Sequence, residues 1–400
     1  VSSPTTGAAI GALPAVAIAG VYWASGPVVL ALLVGAQLVT FTAVARAFEP
    51  ATVKDSSRLA STRTAASAAL VGLGTILPLL VFQLDYDIPL GFPNELVIVA
   101  TAALVGFGAL HRRTTPCAEP APPDPGRRLV DRPAAALLTV ASTVVVLGSG
   151  LTVGRAIRTD PQPDLTSDTE QITLMSWNLH YGVSPHADVD LELIARTIEQ
   201  QNPSIVILQE VSRGWVLGGG TDMATWLAQR LEMNVAFAPA ADRQFGNAIL
   251  TNLPAANIAV VELPYGNGPQ QRSAISADIT TPGGTVRVAS VHLQNKSHIP
   301  TRIDQIDTLL GAEGDAPILI IAGDFNARPD SAEINRMTDA GMISAQDVSG
   351  DPRALTDPSI NPDKRIDWVF GQGVQFATTD VLGDALASDH LPLVVVFSPE

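Results

Sequence analysis

The chain is poor in cysteine, lysine and charge. Cys117 is the one cysteine among 400 residues, so no intrachain disulfide can form. Lysine occurs only at Lys54, Lys296 and Lys364. Charged residues make up 16% of the chain, against roughly 25% in an average soluble protein, while 46% are hydrophobic and the mean hydropathy is +0.26. This composition excludes intrinsic disorder and does not suggest a wholly soluble protein. The formal net charge is −15, unevenly spread. Residues 171–400 carry 13 Lys+Arg against 27 Asp+Glu, leaving −1 for residues 1–170. No Lys/Arg cluster follows residue 171, which argues against the basic surface that polyanion binding usually requires.

The first half is built from long uncharged runs. No charged residue occurs from Val1 to Ala45. That is long enough for two spans broken near Ser25-Gly26-Pro27, a spanning helix needing about 20 apolar residues. Thr64–Leu84, Leu96–Leu110 and Pro133–Gly154 are further runs. The expectation is an N-terminal α-helical transmembrane bundle of about five helices over residues 1–153, followed by a Pro-, Asp- and Thr-rich linker at 154–170. Arg46, Lys54, Arg58 and Arg63 flank one loop, and five arginines from Arg112 to Arg132 fill another. By the positive-inside rule both loops are cytoplasmic, which places the C-terminal half outside. No ionisable residue lies deep in a run, so the helices read as an anchor rather than a transport path.

Residues 171–400 read as an α/β domain. Apolar strands are expected at Gln171–His180, Pro203–Leu208, Ala248–Thr251, Asn257–Leu263, Ala274–Thr280, Thr285–Leu293, Ile318–Ala322, Ile366–Phe370 and Leu393–Phe397. Helical spacing occurs at Asp188–Gln201, Thr221–Leu231 and Pro300–Leu310. Strands that both alternate with helices and follow one another directly suggest two mixed sheets with helices outside. Asn178, Glu210, His292, Asp324 and Asn326 fall at or near strand ends, and Asp389-His390 just before the last strand. Loops at strand ends are where such folds carry function. Asp324 and Asn326, two apart, face the same way on extended chain.

The motifs SWNLHYG, ILQEV, FGNAILT, SVHLQ, AGDFNARP, RIDWVF and SDHLPL, in that order, resemble those of the endonuclease/exonuclease/phosphatase superfamily. That superfamily includes DNase I-like nucleases, neutral sphingomyelinases and inositol polyphosphate 5-phosphatases. The resemblance covers about residues 171–400. It implies a four-layer α/β sandwich and a divalent ion, Mg²⁺ with Mn²⁺ as the alternative. It also implies roles. Glu210, Asn178 and Asp389 would lie on the metal side. Asp324 and Asn326 would orient or deprotonate the attacking water. His390 would act on water or phosphorus, with Asp367 orienting it, and His292 would be the second histidine. AP endonucleases usually have Tyr at the last position, which argues against that branch. Membrane helices ahead of such a domain are also reminiscent of Cwh43-like proteins. The chemistry agrees: phosphoryl transfer needs charge neutralisation, an oriented water and proton transfer to the leaving group.

Each residue also has a plainer reading. Asp367 could pair with Arg365, and His292 could be a satisfied core histidine. His180 shares a strand face with Asn178 and could line the site. His186 and His298 read as loop residues, Trp177 as core, and Arg243 and Arg272 are left unassigned. The function expected is a membrane-anchored, extracytoplasmic phosphodiester hydrolase acting on lipid headgroups or envelope glycolipids. The alternatives are an extracytoplasmic nuclease acting on DNA or RNA, and a non-catalytic binding module at the cell membrane. No obligate protein partner is expected.

Overall fold

The computed structural model describes residues 4–23, 27–47, 58–85, 88–110, 171–215, 218–241, 244–295 and 298–400. The chain divides into two compact units, Val1–Thr159 and Asp160–Glu400.

In the first unit four helices are described: α1 (Pro4–Trp23), α2 (Pro27–Ala47), α3 (Arg58–Leu84) and α4 (Glu95–Leu110). α1 ends at Trp23 and α2 begins at Pro27; Ser25 and Gly26, where the first run is expected to break, lie outside the described residues. The span expectation fares differently. Among the described residues no helix is long and apolar enough to cross a membrane. For α4 the reason is length: its 16 residues rise about 24 Å, short of a hydrocarbon core of about 30 Å. The five-span bundle, and with it the Cwh43-like arrangement, is not supported by the described helices. The fifth run (133–154), the Pro-rich loop at 114–126 and the linker lie outside the described residues.

The second unit is a two-sheet α/β sandwich. One sheet has the order β11-β12-β1-β2-β4-β3. It is formed by β1 (Ile172–Asn178), β2 (Ile205–Ser212), β3 (Asn234–Ala240), β4 (Phe245–Thr251), β11 (Val374–Val381) and β12 (Leu393–Pro399). The other has the order β5-β6-β7-β8-β10-β9. Its strands are β5 (Ala255–Leu263), β6 (Arg272–Thr281), β7 (Gly284–His292), β8 (Leu319–Asp324), β9 (Ile343–Ser344) and β10 (Asp367–Gln372). Among the described strands, only β1–β2 and β7–β8 pair in parallel.

Alternation along the strands builds the layers. Leu174, Ile207, Val288, Ile320 and Leu393 point between the sheets into one core. Met175, Trp177, Val206 and Leu208 point the other way, onto α5 (Leu191–Gln201) and α6 (Met223–Arg230). Val291, Ile321, Trp368 and Phe370 cover the far face of the second sheet, beneath α7 (Ile299–Glu313) and α8 (Ala332–Asp339). The central strands are buried on both faces, which is why they read as unbroken apolar runs. A short α9 (Ala345–Ser349) precedes β10.

The helix starts have local causes. The Asp190 carboxylate accepts from the Leu193 amide at 2.9 Å, Asp222 from Thr225 at 3.1 Å and the Ser331 hydroxyl from Ile334 at 3.4 Å. Each satisfies an amide that the first turn leaves without a partner. His298, expected in a loop, caps α7 through Nδ1.

Candidate functional site

Five strand ends and two loops converge on one edge of the sandwich. Parallel pairing sets β1 beside β2 with Asn178 opposite Gln209, and β7 beside β8 with His292 opposite Asp324. Antiparallel pairing sets Asp367 opposite Asp324. Register thus brings His292 and Asp367 to Asp324, and Asn178 reaches the same carboxylate from the other sheet.

Asp324 is the centre. It is buried, and its Oδ2 accepts from Asn178 Nδ2 at 3.0 Å. Its Oδ1 accepts from the Asn326 amide at 2.8 Å, a local turn that the positive φ of Asn326 (49°) makes possible. Burial, reinforced by the neighbouring Asp367, pushes the Asp324 carboxyl up to about 7 from an ordinary 3.8.

His390 lies against both carboxylates. Its Nδ1 is 2.9 Å from Asp367 Oδ2, and its Nε2 is 3.9 Å from Asp324 Oδ2. Trp177 Nε1 donates to the His390 carbonyl at 2.8 Å, so the expected core tryptophan also holds the histidine's backbone. Burial opposes a charge on His390, but Asp367, with Asp324 and Asp389, outweighs it and the pKa lies well above 6.5. Ligand-capable atoms of Asp324, Asp367 and His390 lie within 4.8 Å of one another, a buried Asp–Asp–His group.

His292 has a different environment. Its Nδ1 is 3.0 Å from Arg272 Nη1. A guanidinium can only donate, so Nδ1 accepts and the proton sits on Nε2, 3.4 Å from Asp324 Oδ2. Burial, then Arg272, hold its pKa well below 6.5. His292 is thus a neutral donor and His390 a charged one. Arg272, left unassigned from the sequence, adds to burial in keeping His292 neutral.

Glu210 stands where β2 loses register with β4, between Leu208 and Val211. It adopts φ +52°, a strained conformation for a long side chain that costs on the order of 1–3 kcal/mol. Such bulges re-aim side chains at sheet rims. Burial raises its pKa; His180 opposes the rise and Asp389 adds to it. Its Oε1 is 3.8 Å from His292 Nδ1, and its buried Oε2 has no hydrogen-bond partner among the described residues.

Asp389 is one-third exposed, with Oδ2 3.5 Å from His180 Nδ1. His180 therefore does line the site, held in a left-handed turn (φ 44°) with its amide on Asn178 Oδ1 at 3.0 Å. The Asp367–Arg365 pair is not formed. Arg365 instead bonds Asp347 at 2.6 Å and stacks on Trp368. Arg243 lies outside the described residues.

Sequence reasoning missed Thr356, Asp357, Lys364 and Ser388. The Thr356 hydroxyl accepts from the amides of Ile366 and Asp367 at 3.2 and 3.3 Å, and Ser388 Oγ donates to the Asn178 carbonyl at 2.7 Å. Asp357 Oδ1 lies 3.9 Å from His390 Nε2. The only signal for these was proximity to RIDWVF and SDH.

A cation fits the metal side of this site. Glu210 offers a buried carboxylate oxygen with no donor among the described residues, and it lies within electrostatic reach of the partly exposed Asp389. Oxygen donors of this kind suit a hard divalent ion.

A two-sheet α/β sandwich with buried carboxylates and histidines at one rim defines a hydrolase-type scaffold. The chain belongs to the Endonuclease/Exonuclease/phosphatase family, whose model matches residues 175–390. Solved structures resemble it. An endonuclease/exonuclease/phosphatase from Beutenbergia cavernae is 24% identical, covering 57% of this chain and 72% of that one, with a TM-score of 0.47. The human Nocturnin catalytic domain with bound sulfate is 22% identical, covering 57% and 94%, with a TM-score of 0.47. A mannosyl-6-phosphatase from Bacteroides thetaiotaomicron is 15% identical, covering 56% and 98%, with a TM-score of 0.46. No curated protein matches the chain.

Proposed function

We propose that this chain is a divalent-metal-dependent hydrolase of phosphodiesters. The observation that carries the reading is the junction of Asp324, Asp367 and His390 within 4.8 Å, beside a Glu210 oxygen without a partner. Glu210, Asn178 and Asp389 would hold the ion, Mg²⁺ with Mn²⁺ as the alternative. A bound divalent ion supplies positive charge for the phosphoryl oxygens.

The chain's own groups do the rest. Asp324, held by Asn178 and by the Asn326 amide, presents an acceptor for the attacking water, and Asn326 orients that water. Asp367 keeps the His390 proton on Nδ1 and the ring in one orientation, so Nε2 is the atom that meets the phosphoryl or leaving oxygen. His292 donates from Nε2 towards the same point, fixed by Arg272.

The substrate class proposed is a lipid-headgroup or envelope phosphodiester, with the domain outside the cytoplasm and attached to the cell membrane. Three features support this. Residues 171–400 carry −14 without a basic cluster, which disfavours nucleic acid. The first half is rich in uncharged runs. Its helices leave large apolar side chains exposed, among them Leu33, Phe41, Leu80 and Phe107.

The test uses the full chain and a His390→Ala variant, with Mg²⁺ or EDTA, on supercoiled plasmid and on phosphatidylglycerol vesicles. Metal-dependent headgroup release lost in the variant is expected. Plasmid nicking with intact vesicles would favour the nuclease alternative. Inactivity on both would favour a binding module. Alkaline extraction of native membranes tests attachment: release into the soluble fraction would end that part of the proposal.

A further inference from the structure

The segment Thr356–Lys364 folds back against the loop that carries His390. Its base is closed by pairing of Asp357 with Lys364: the Lys364 amide donates to the Asp357 carbonyl at 2.8 Å and the Asp357 amide to the Lys364 carbonyl at 3.1 Å. The tip is pinned where Ser359 Oγ donates to the Ser388 carbonyl at 2.7 Å. The Leu391 amide donates to the Thr356 carbonyl at 2.7 Å. These bonds fall on either side of His390, so the segment is a fixed wall beside it.

One side chain of this wall faces the reacting atoms. Asp357 is 8% exposed, and its Oδ1 lies 3.9 Å from His390 Nε2. Its Oδ2 accepts from Lys364 Nζ at 2.6 Å. A buried carboxylate is costly unless its oxygens are satisfied. Lys364 satisfies one of them. Oδ1 accepts no hydrogen bond from any described residue, although it sits next to the atom that meets the leaving oxygen. Asp324 stands equally far from Nε2, and each of its oxygens accepts one hydrogen bond, from Asn178 and from the Asn326 amide. Asp357 Oδ1 is thus an acceptor beside Nε2 that no described residue occupies.

Resting on the hydrolase reading above, we propose that Asp357 is a specificity-determining residue: its Oδ1 accepts a hydrogen bond from a hydroxyl on the leaving group. The favoured substrates are phosphodiesters whose departing alcohol carries a further hydroxyl, as glycerol, sugars and other polyols do. Lys364 already balances the Asp357 charge, so little attraction remains for a second ammonium, and a neutral donor fits best. A second phosphate would meet an acceptor where it needs a donor. In the reaction, the attacking water gives a proton to the Asp324 carboxylate as its oxygen bonds to phosphorus, the bond from phosphorus to the leaving oxygen breaks, and that oxygen takes a proton from His390 Nε2. Asp357 takes no part in those transfers and binds only the neighbouring hydroxyl.

The experiment compares two diesters on the full chain with Mg²⁺. In bis(glycerol) phosphate both alcohols carry spare hydroxyls; bis(p-nitrophenyl) phosphate has none. Asp357→Ala is expected to lower kcat/KM for the glycerol diester at least tenfold more than for the aryl diester, the loss of one hydrogen bond to a charged acceptor. Asp357→Asn, which keeps a carbonyl acceptor, is expected to recover most of the difference. Equal losses on both diesters, in both variants, would mean that Asp357 only positions His390 or supports the fold, and would overturn the proposal. No loss on either would overturn it too. If the unaltered chain hydrolysed neither diester, the hydrolase reading itself would fall. If it hydrolysed both, with EDTA and His390→Ala abolishing turnover, that reading stands and only the specificity claim is at stake.

Discussion

Asp324 and Asp367 are register partners on adjacent antiparallel strands, and His390 spans the two carboxylates, with Nδ1 on Asp367 and Nε2 towards Asp324. Two acids on neighbouring strand ends would repel one another; the imidazolium between them offsets that. The arrangement also divides the work. Asp367 holds the histidine's proton and ring, leaving Asp324 free towards water. Asp367→Asn keeps the shape but removes the charge that favours the imidazolium. The expected outcome is a fall in kcat of about 10²–10⁴-fold with KM little changed. A steady-state comparison on one diester checks it, and an unaltered kcat would separate Asp367 from catalysis.

The metal-free protein should lose stability as pH rises. The Asp324 carboxyl titrates near 7 in the folded chain and near 3.8 unfolded. A raised carboxyl pKa means the folded state favours the protonated form. Its contribution is fully present below about 3.8 and is lost as pH rises through about 7. The loss is on the order of 4 kcal/mol at high pH. Thermal melts in EDTA between pH 5 and 8.5 should show Tm falling, and Asp324→Asn should flatten the slope. Added Mg²⁺ should restore more Tm at pH 8 than at pH 5, because binding must displace protons.

Glu210 carries both strain and an unpartnered buried oxygen. If its purpose is to hold a cation, neutralising it should relieve the metal-free protein and weaken the ion. Glu210→Gln is expected to raise Tm in EDTA by a few degrees, about 1 kcal/mol or more, while raising the Mg²⁺ dissociation constant at least tenfold. Calorimetric titration gives the second quantity without any turnover. A variant that bound Mg²⁺ as well as the parent would place the ion elsewhere.

The sequence made the site legible to an uneven degree, and the unevenness has physical causes. Strand ends were readable because β1, β2, β7 and β8 are buried on both faces and so appear as apolar runs that stop at a polar residue. The pairing of Asp324 with Asp367 was not readable, since register depends on contacts between distant segments. β3, with its mixed pattern NVAFAPA, and β11, with VQFATTDV, lie at or next to sheet edges and carry no clear alternation. Arg272 resembled a surface arginine; only its burial at the start of β6, against His292, reveals its part. Thr356 and Asp357 act largely through backbone amides and a loop, which leave no mark on composition.

Thr356 allows a test of how the loop aligns the site. Its hydroxyl accepts from the amides of Ile366 and Asp367, and its carbonyl from the Leu391 amide, so one residue ties both members of the Asp367–His390 pair. Thr356→Val keeps the shape and the carbonyl but strips the acceptor from two buried amides, each costing about 1–3 kcal/mol. Activity should fall tenfold or more, and Thr356→Ser should recover it. Equal stability losses in both variants with full activity would assign Thr356 to the fold alone.

Gly323 shows how tightly the central strand end is built. It adopts φ +144°, and a Cβ there would lie 1.9 Å from the Val291 carbonyl oxygen and 3.1 Å from Gln209 Nε2. The backbone of β8 thus approaches β7 as closely as it does because residue 323 has no side chain. That approach sets Asp324 opposite His292 and lets the Leu293 amide reach the Asp324 carbonyl at 2.9 Å. The clash is with backbone, which cannot rotate away, so Gly323→Ala must separate β7 from β8 at the point where the site begins. The expected outcome is a loss of about 3 kcal/mol or more together with activity. Gly383→Ala is the control, since nothing lies within 4 Å of a Cβ there, and it should leave the melt within about 0.5–1 kcal/mol of the parent. If Gly323→Ala melted like the control and still turned over substrate, the close approach of β7 and β8 would not be what aligns His292 with Asp324.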